Sequence, residues 1–119
     1  MRKQELDEPP LPTVEIETRS SPSHAVIWLH GLGADGHDFV PVVSELKLPP
    51  LGIRFVFPHA PMMPVTINGG FVMRAWYDIT EQSLARKEDE RGVRASHHAI
   101  EALIAREAAR GIPVSRIVL

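Results

Sequence analysis

The chain shows two kinds of hydrophobic pattern in its first half. Residues 13–18 alternate apolar and polar side chains, which predicts a strand with one solvent-facing side near the edge of a sheet. Residues 25–29 and 53–57 are short and almost continuously apolar, as is typical of strands buried on both faces of a parallel sheet. A short helix over residues 38–47, capped by Asp38, is expected to connect these two strands. The pattern therefore predicts an α/β fold.

The second half has one irregular part and one strongly periodic part. Residues 58–80 are rich in proline and glycine and follow no period, so a long connection is predicted there. Apolar residues then recur at helical spacing between residues 92 and 110, which predicts a helix with one buried stripe. Residues 117–119 begin another buried strand. The stripe consists of Val93, Ile100, Leu103, Ile104 and Ala108.

Composition narrows the class of protein. The 119 residues suffice for one small domain, and a net charge of −2 gives no indication of a nucleic-acid partner. The absence of cysteine excludes a disulfide framework, a thiol nucleophile and thiolate metal sites in these residues. No apolar run is long enough for a membrane span, and the first residues lack the apolar region of a secretory signal, so a cytoplasmic location is expected. Residues 1–12, charged and then proline-rich, are predicted to form a flexible tail before a domain over residues 13–119.

Three glycines follow the first buried strand within six positions. Gly31, Gly33 and Gly36 fit the G-x-G-x-x-G pattern of dinucleotide-binding turns, but that pattern requires a carboxylate at the end of the next strand, where Pro58-His59-Ala60 stands instead. A His-Gly turn at this place also fits an oxyanion-binding loop, in which bared backbone N–H groups hold a developing negative charge. From these residues alone, an oxyanion loop, a plain tight turn and a dinucleotide site all remain open.

Four motifs follow one another along the chain, namely His30-Gly31-Leu32-Gly33-Ala34-Asp35-Gly36, Pro58-His59-Ala60-Pro61, residues 64–70 and Trp76-Tyr77-Asp78-Ile79. The chain resembles the carboxylesterase/acyl-protein thioesterase (phospholipase/carboxylesterase) family of serine hydrolases from about residue 25 to residue 119. The resemblance implies an α/β-hydrolase fold, a mostly parallel sheet with helices on both faces, of which these residues are the N-terminal portion. One departure lies at residues 73–76, where some members have Pro-Ser before the tryptophan.

The resemblance also implies a reaction and its site residues. The implied reaction is hydrolysis of a small-molecule carboxylic ester or acyl thioester by a serine nucleophile, without a cofactor. In the family the backbone N–H at the position of Leu32 is half of the oxyanion hole, and His30, Gly31 and Gly33 are expected to support that loop. Apolar residues of the following connection are expected to wall the acyl pocket, namely Val65, Ile67, Phe71, Met73 and Trp76.

The nucleophile itself is not apparent in these 119 residues. No serine lies in a G-x-S-x-G elbow, and in the resembling family the catalytic serine, aspartate and histidine come later in the chain. The chain alone is therefore expected to be inactive. A non-catalytic binding fragment, or a dinucleotide-binding module that uses the three glycines, remains the alternative. A homodimer is left open.

The six histidines form no metal-binding motif. His97 and His98 are adjacent on the predicted helix and point about 100° apart, and there is no H-E-x-x-H sequence, so no metal is predicted. His30 is interpreted as a residue that orients the glycine loop rather than as the general base. His59, at a strand end, is interpreted as structural.

Overall fold

The computed structural model describes residues 10–81 and 89–119, which form one four-stranded sheet, one two-stranded sheet and one long helix. Residues 1–9 of the predicted flexible tail lie outside the described residues. Pro12, the last residue of that tail, is tied to the fold, because its carbonyl accepts a hydrogen bond from the N–H of His59 at 2.9 Å. The strands are β1 (Thr13–Glu17), β2 (His24–Ile27), β3 (Ile53–Pro58), β4 (Met62–Val65), β5 (Phe71–Arg74) and β6 (Ile117–Val118), and the helix is α1 (Glu90–Ala109).

The larger sheet has the order β1-β3-β2-β6. β2 pairs in parallel with β3 and with β6, whereas β1 pairs antiparallel with β3 and forms one edge. The alternating strand 13–18 is thus confirmed as an edge strand, and the two apolar runs are confirmed as inner, parallel strands. The last apolar residues also form a strand, which pairs in parallel with β2, but the prediction that it is buried is wrong, because Ile117 is only partly buried and Val118 is exposed.

Both faces of β3 are covered by packed side chains, which explains its nearly continuous apolar run. Side chains alternate along β3, so Phe55 and Phe57 point to one face and Val56 to the other. On one side Val56 and Ile27 pack with Ile100 and Leu103 of α1. The opposite face packs against the segment after the glycine turn, in a cluster of Val43, Ile53, Phe55 and Phe57.

That segment is a 3-10 helix, Val40–Glu45, and not the longer helix capped by Asp38. Phe39 stands at the cap position, and no side chain caps the helix. The prediction of an Asp38 cap is therefore wrong. Three valines and Pro41 within six residues give this segment a low helix propensity, and it closes with short hydrogen bonds such as that from the N–H of Val42 to the carbonyl of Phe39 at 3.0 Å.

The predicted long connection contains a β-hairpin. β4 and β5 pair antiparallel, and a 3-10 turn, Thr66–Asn68, joins them. The expectation of an irregular connection over residues 58–80 is therefore wrong for its central part. Asp78 pins the hairpin from outside, because its carboxylate accepts hydrogen bonds from the N–H and the hydroxyl of Thr66 at 2.8 and 2.6 Å.

The helix α1 begins two residues earlier than predicted. Asp89 caps it by accepting a hydrogen bond from the N–H of Gly92 at 3.0 Å. Ile100 and Leu103 are buried as expected, whereas Val93 and Ala108 are exposed and Glu107 is buried instead. Within the described residues, no helix is apolar over a length that could cross a membrane.

Candidate functional site

The glycine stretch forms a tight turn just beyond β2. The N–H of Ala34 donates to the carbonyl of Gly31 at 3.2 Å, and Gly33 has a φ of 76°. Leu32 is not among the residues with positive φ, so the turn is of type II, which requires a positive φ at its third residue. Glycine is needed at position 33 because any other side chain would be strained there.

The N–H of Leu32 lies at the outer corner of this turn. Among the described residues no acceptor pairs with it, and Leu32 is 44% exposed. A free backbone N–H beyond the carboxyl end of a parallel strand is available to an anion or to a developing oxyanion.

The imidazole of His30 holds the start of the loop. Its Nε2 accepts a hydrogen bond from the N–H of Ala60 at 3.0 Å, so in the neutral ring the proton resides on Nδ1. Nδ1 then donates to the carbonyl of Gly31 at 2.7 Å. His30 is 4% exposed, and the indole N–H of Trp76 donates to its carbonyl at 2.8 Å. Both ring nitrogens are thus occupied by the backbone, which leaves none free to deprotonate a serine.

The far end of the loop is held by a second histidine. Nδ1 of His59 accepts a hydrogen bond from the N–H of Gly36 at 3.0 Å. A Cβ on Gly36 would lie 2.5 Å from the carbonyl oxygen of Phe57. This close approach explains the third glycine without any ligand.

The hairpin strand β5 braces the middle of the loop. The N–H of Gly33 donates to the carbonyl of Arg74 at 3.0 Å, and the Arg74 guanidinium donates to the carbonyl of Ala60 at 3.0 Å. Sequence reasoning gave no role to Arg74 and only a structural one to His59. His59 lies in a motif that the family resemblance had singled out, whereas the contacts of Arg74 have no local sequence signal.

A depression of about 200 Å³ adjoins Leu32. Gly31, Leu32, Trp76, Tyr77 and Ile79 line it. Of the five predicted acyl-pocket residues, only Trp76 is among them.

The other four predicted pocket residues are placed differently. Val65 is fully buried, Phe71 is 74% exposed, and Ile67 is partly buried. Met73 is partly buried beside the glycine turn, with its sulfur 3.8 Å from the position of a Cβ on Gly33. An acyl-binding role for these four residues stays a prediction.

Three residues of the loop region could in principle approach a cation. One ligand atom each from Asp35, His37 and His59 lies within 4.8 Å of the others. Neither ring nitrogen of His59 is free to bind a cation. Its Nδ1 accepts the Gly36 N–H, and its Nε2 carries the proton of the neutral ring. His37 instead lies 3.3 Å from Asp35, whose pKa is lowered chiefly by the hydrogen bond from the His37 backbone.

The loop also lacks the geometry of a dinucleotide site. The element after Gly36 is a short 3-10 helix, so no α-helix N-terminus faces the turn to hold a pyrophosphate. The Gly36 N–H is already used by His59. The dinucleotide interpretation of the three glycines is not supported by this arrangement.

One serine and histidine pair is present elsewhere. The Ser23 hydroxyl lies 2.7 Å from Nδ1 of His24. These residues are at the amino end of β2, whereas Leu32 follows its carboxyl end. The length of β2 alone, about 13 Å at the rise of a strand, separates this pair from the turn.

The sequence from Pro12 onward matches a family profile described as Phospholipase/Carboxylesterase over residues 12–119. The chain belongs to the phospholipase/carboxylesterase family. The chain is similar to acyl-protein thioesterase 1 of Yarrowia lipolytica, at 38% identity over 114 residues, or 93% of this chain and 50% of that protein. Acyl-protein thioesterase 1 of Cryptococcus neoformans is 35% identical over 109 residues, or 89% of this chain and 46% of that protein.

Solved structures of the family agree in fold. Acyl-protein thioesterase 2 of Zea mays superposes with a TM-score of 0.69 at 31% identity, covering 79% of this chain and 40% of that one. SOBER1 of Arabidopsis thaliana superposes with a TM-score of 0.72 at 34% identity, covering 79% of this chain and 46% of that one. The predicted α/β-hydrolase fold and the predicted family are confirmed. The chain spans about half the length of the curated relatives that it matches.

Proposed function

We propose that this chain supplies the oxyanion loop of a serine hydrolase that cleaves carboxylic esters or acyl thioesters. The N–H of Leu32, which has no acceptor among the residues that the structure describes, carries the proposal. It projects from a turn that His30, His59 and Arg74 hold by backbone hydrogen bonds. A donor fixed in this way needs no reorganisation when negative charge develops on an acyl oxygen, and this is the property that makes oxyanion holes effective.

The substrate class follows from the family and from the surface beside the turn. The relatives are named acyl-protein thioesterases, and the depression beside Leu32 has largely apolar walls, including Trp76 and Ile79. An acyl group with its carbonyl oxygen near the Leu32 N–H would bring its first carbons against these walls. The serine nucleophile, the second oxyanion donor, a cytoplasmic location and a homodimer remain predictions, and the nucleophile is expected from polypeptide outside these 119 residues.

The turn type provides a sharp test of the oxyanion donor. Proline is favoured at the second residue of a type II turn, so Leu32→Pro should keep the turn while it removes the N–H together with the leucine side chain. In the hydrolase that contains this chain, we expect kcat for a short-chain aryl ester and for an acyl thioester to fall about 10²- to 10³-fold. KM should change little.

Leu32→Ala is the matched control for this test. It removes the same side chain and keeps the N–H, so its kcat should stay within about threefold of the wild-type value. Circular dichroism should give equal melting temperatures for the two variants. An unchanged kcat in Leu32→Pro, or saturable micromolar binding of NAD or NADP to the wild-type protein by calorimetry, would contradict the proposal.

A further inference from the structure

Both ends of the oxyanion loop are held by one two-residue segment. The ring of His59 accepts the N–H of Gly36, and the next peptide N–H, that of Ala60, donates to the ring of His30. The segment itself is fixed to the rest of the fold, because the His59 N–H donates to the carbonyl of Pro12 and the Arg74 guanidinium holds the carbonyl of Ala60. A shift of His59 would therefore be felt at both ends of the loop.

The bond from Gly36 depends on the charge state of the imidazole. A neutral histidine has one acceptor nitrogen, and a protonated histidine has two donors and no acceptor. Protonated His59 could not accept the Gly36 N–H, and two donors would then face each other at about 3 Å, which is repulsive. Gly36 cannot move toward the strand to escape, since it already lies against the carbonyl oxygen of Phe57.

We propose that His59 is a positioning residue of the oxyanion loop, which it holds through Gly36 only while its imidazole is neutral. This inference rests on the proposed oxyanion role of Leu32. When His59 is protonated, the loop loses its far anchor, and the Leu32 N–H is no longer aimed at the acyl oxygen. Misplacement of a catalytic group by about 1 Å is enough to lower a rate about 100-fold.

The surroundings of His59 keep it neutral near neutral pH. Partial burial lowers its pKa below the ordinary value of 6.5, and the positive charge of Arg74 lowers it further. The carboxylate of Asp35 raises the pKa of His59. It is lowered by His37, whose ring centroid lies 5.3 Å from that of His59, and by His30. The anchor is thus intact at neutral pH and is lost as the pH falls through the lowered pKa of His59.

Variants of His59 in the hydrolase that contains this chain separate the hydrogen bond from the bulk of the side chain. In His59→Asn the Oδ1 atom can stand near the place of Nδ1 and accept the Gly36 N–H without titrating. In His59→Leu no acceptor remains. We expect kcat to fall about 10- to 100-fold in His59→Leu with KM changed less than about threefold, and to stay within about threefold of wild type in His59→Asn.

The pH profile supplies a readout that a merely structural role would not move. His59→Asn should retain more of its neutral-pH kcat at about pH 5 than the wild type does, because its anchor does not titrate. His97→Asn, on the exposed face of α1, is the control and should leave the wild-type profile unchanged. Equal kcat in wild type and a folded His59→Leu, or identical profiles for wild type and His59→Asn, would overturn the positioning role.

A measurement without activity distinguishes this inference from the proposed function. Imidazole ¹⁵N spectra of the wild-type protein should show His59 protonated on Nε2 alone at neutral pH, and the Gly36 amide resonance should shift with the titration of His59. If the wild-type protein hydrolyses no ester, the proposed function fails while these spectra still test the hydrogen bond. A Gly36 amide that does not respond to His59 would overturn the inference even where hydrolysis is found.

Discussion

The two edges of the four-stranded sheet are built in opposite ways. β1 carries glutamates that pair with arginines of β3 and of α1, whereas β6 and the residue after it are apolar, with Val118 60% and Leu119 68% exposed. An apolar groove of about 400 Å³ runs beside β6 and is lined by Val26, Ile27, Trp28, Leu29 and Leu119.

The β1 edge is closed by a connected group of charges. Glu107 of α1 is fully buried, and both its carboxylate oxygens accept hydrogen bonds from Arg54 at 3.0 Å. Arg54 also donates to Glu17 at 2.9 Å, and Arg110 joins Glu107 to Glu15. Charged side chains on an edge strand prevent a further strand from pairing there.

The β6 edge has no such charges within the described residues. A two-residue apolar strand beside an apolar groove would expose backbone groups and hydrophobic surface together. Among the described residues, β1 is thus an edge closed by charges, whereas β6 leaves apolar side chains and backbone groups uncovered.

The largest effect is expected when residues 1–119 are produced alone. Covering an exposed Val or Leu contributes about 1.5–3 kcal/mol, and a domain is stable by only about 5–15 kcal/mol. Since several such side chains are uncovered at the β6 edge, we expect neither a cooperative thermal transition by circular dichroism nor ester hydrolysis. A sharp transition from a monomer of these residues would contradict the comparison, because the β6 edge would then be as complete as the β1 edge.

Local patterns were sufficient for most of the fold and insufficient for the site. The strands at residues 13–17, 53–58 and 117–118 and the helix α1 were predictable because burial on one or two faces leaves a period in the sequence. The β4–β5 hairpin was not predictable, because Pro64 and two glycines obscure the alternation of apolar and polar residues. The proline is tolerated there because each strand of a two-stranded sheet is an edge strand.

The site was predictable only where a motif marks it. The turn at Leu32 lies in a glycine motif, and the family resemblance predicted that the N–H of Leu32 is an oxyanion donor. The acceptors for Gly33 and Gly36 come from residues 74 and 59, which are more than twenty positions away along the chain. No local period or composition encodes such contacts, so they had to be seen in the fold. The burial of Glu107 likewise depends on Arg54, which is distant in sequence.

A smaller but specific effect is expected from Glu107→Ala at the charged edge. Removing one partner of a buried ion pair leaves Arg54 without its main acceptor, and such changes cost about 3–5 kcal/mol. In the hydrolase that contains this chain, urea unfolding should show this loss, while kcat at neutral pH should change little. Glu101→Ala on the exposed face of α1 is the matched control, with an expected change within about 0.5 kcal/mol. Equal losses in the two variants would mean that the charges do not close the β1 edge.

The smallest effect is expected from Glu15→Gln, and it should depend on pH. Partial burial alone would raise the pKa of Glu15, but hydrogen bonds from Arg110 and Thr13 and the charges of Arg110 and Arg106 outweigh it, so the pKa lies below its ordinary value of 4.5. A carboxyl group with a lowered pKa stabilises the fold above its unfolded-state pKa, and this contribution is lost as the pH falls through the folded-state pKa.

The Glu15 side chain is 25% exposed, so the wild-type protein should be more stable than Glu15→Gln by about 1 kcal/mol or less at neutral pH. The two unfolding free energies should converge as the pH falls below about 4.5 and through the lowered pKa of Glu15 in the folded state. Urea unfolding at a series of pH values measures this difference. A difference that stays constant over that range would show that the charge of Glu15 contributes nothing to closing the β1 edge.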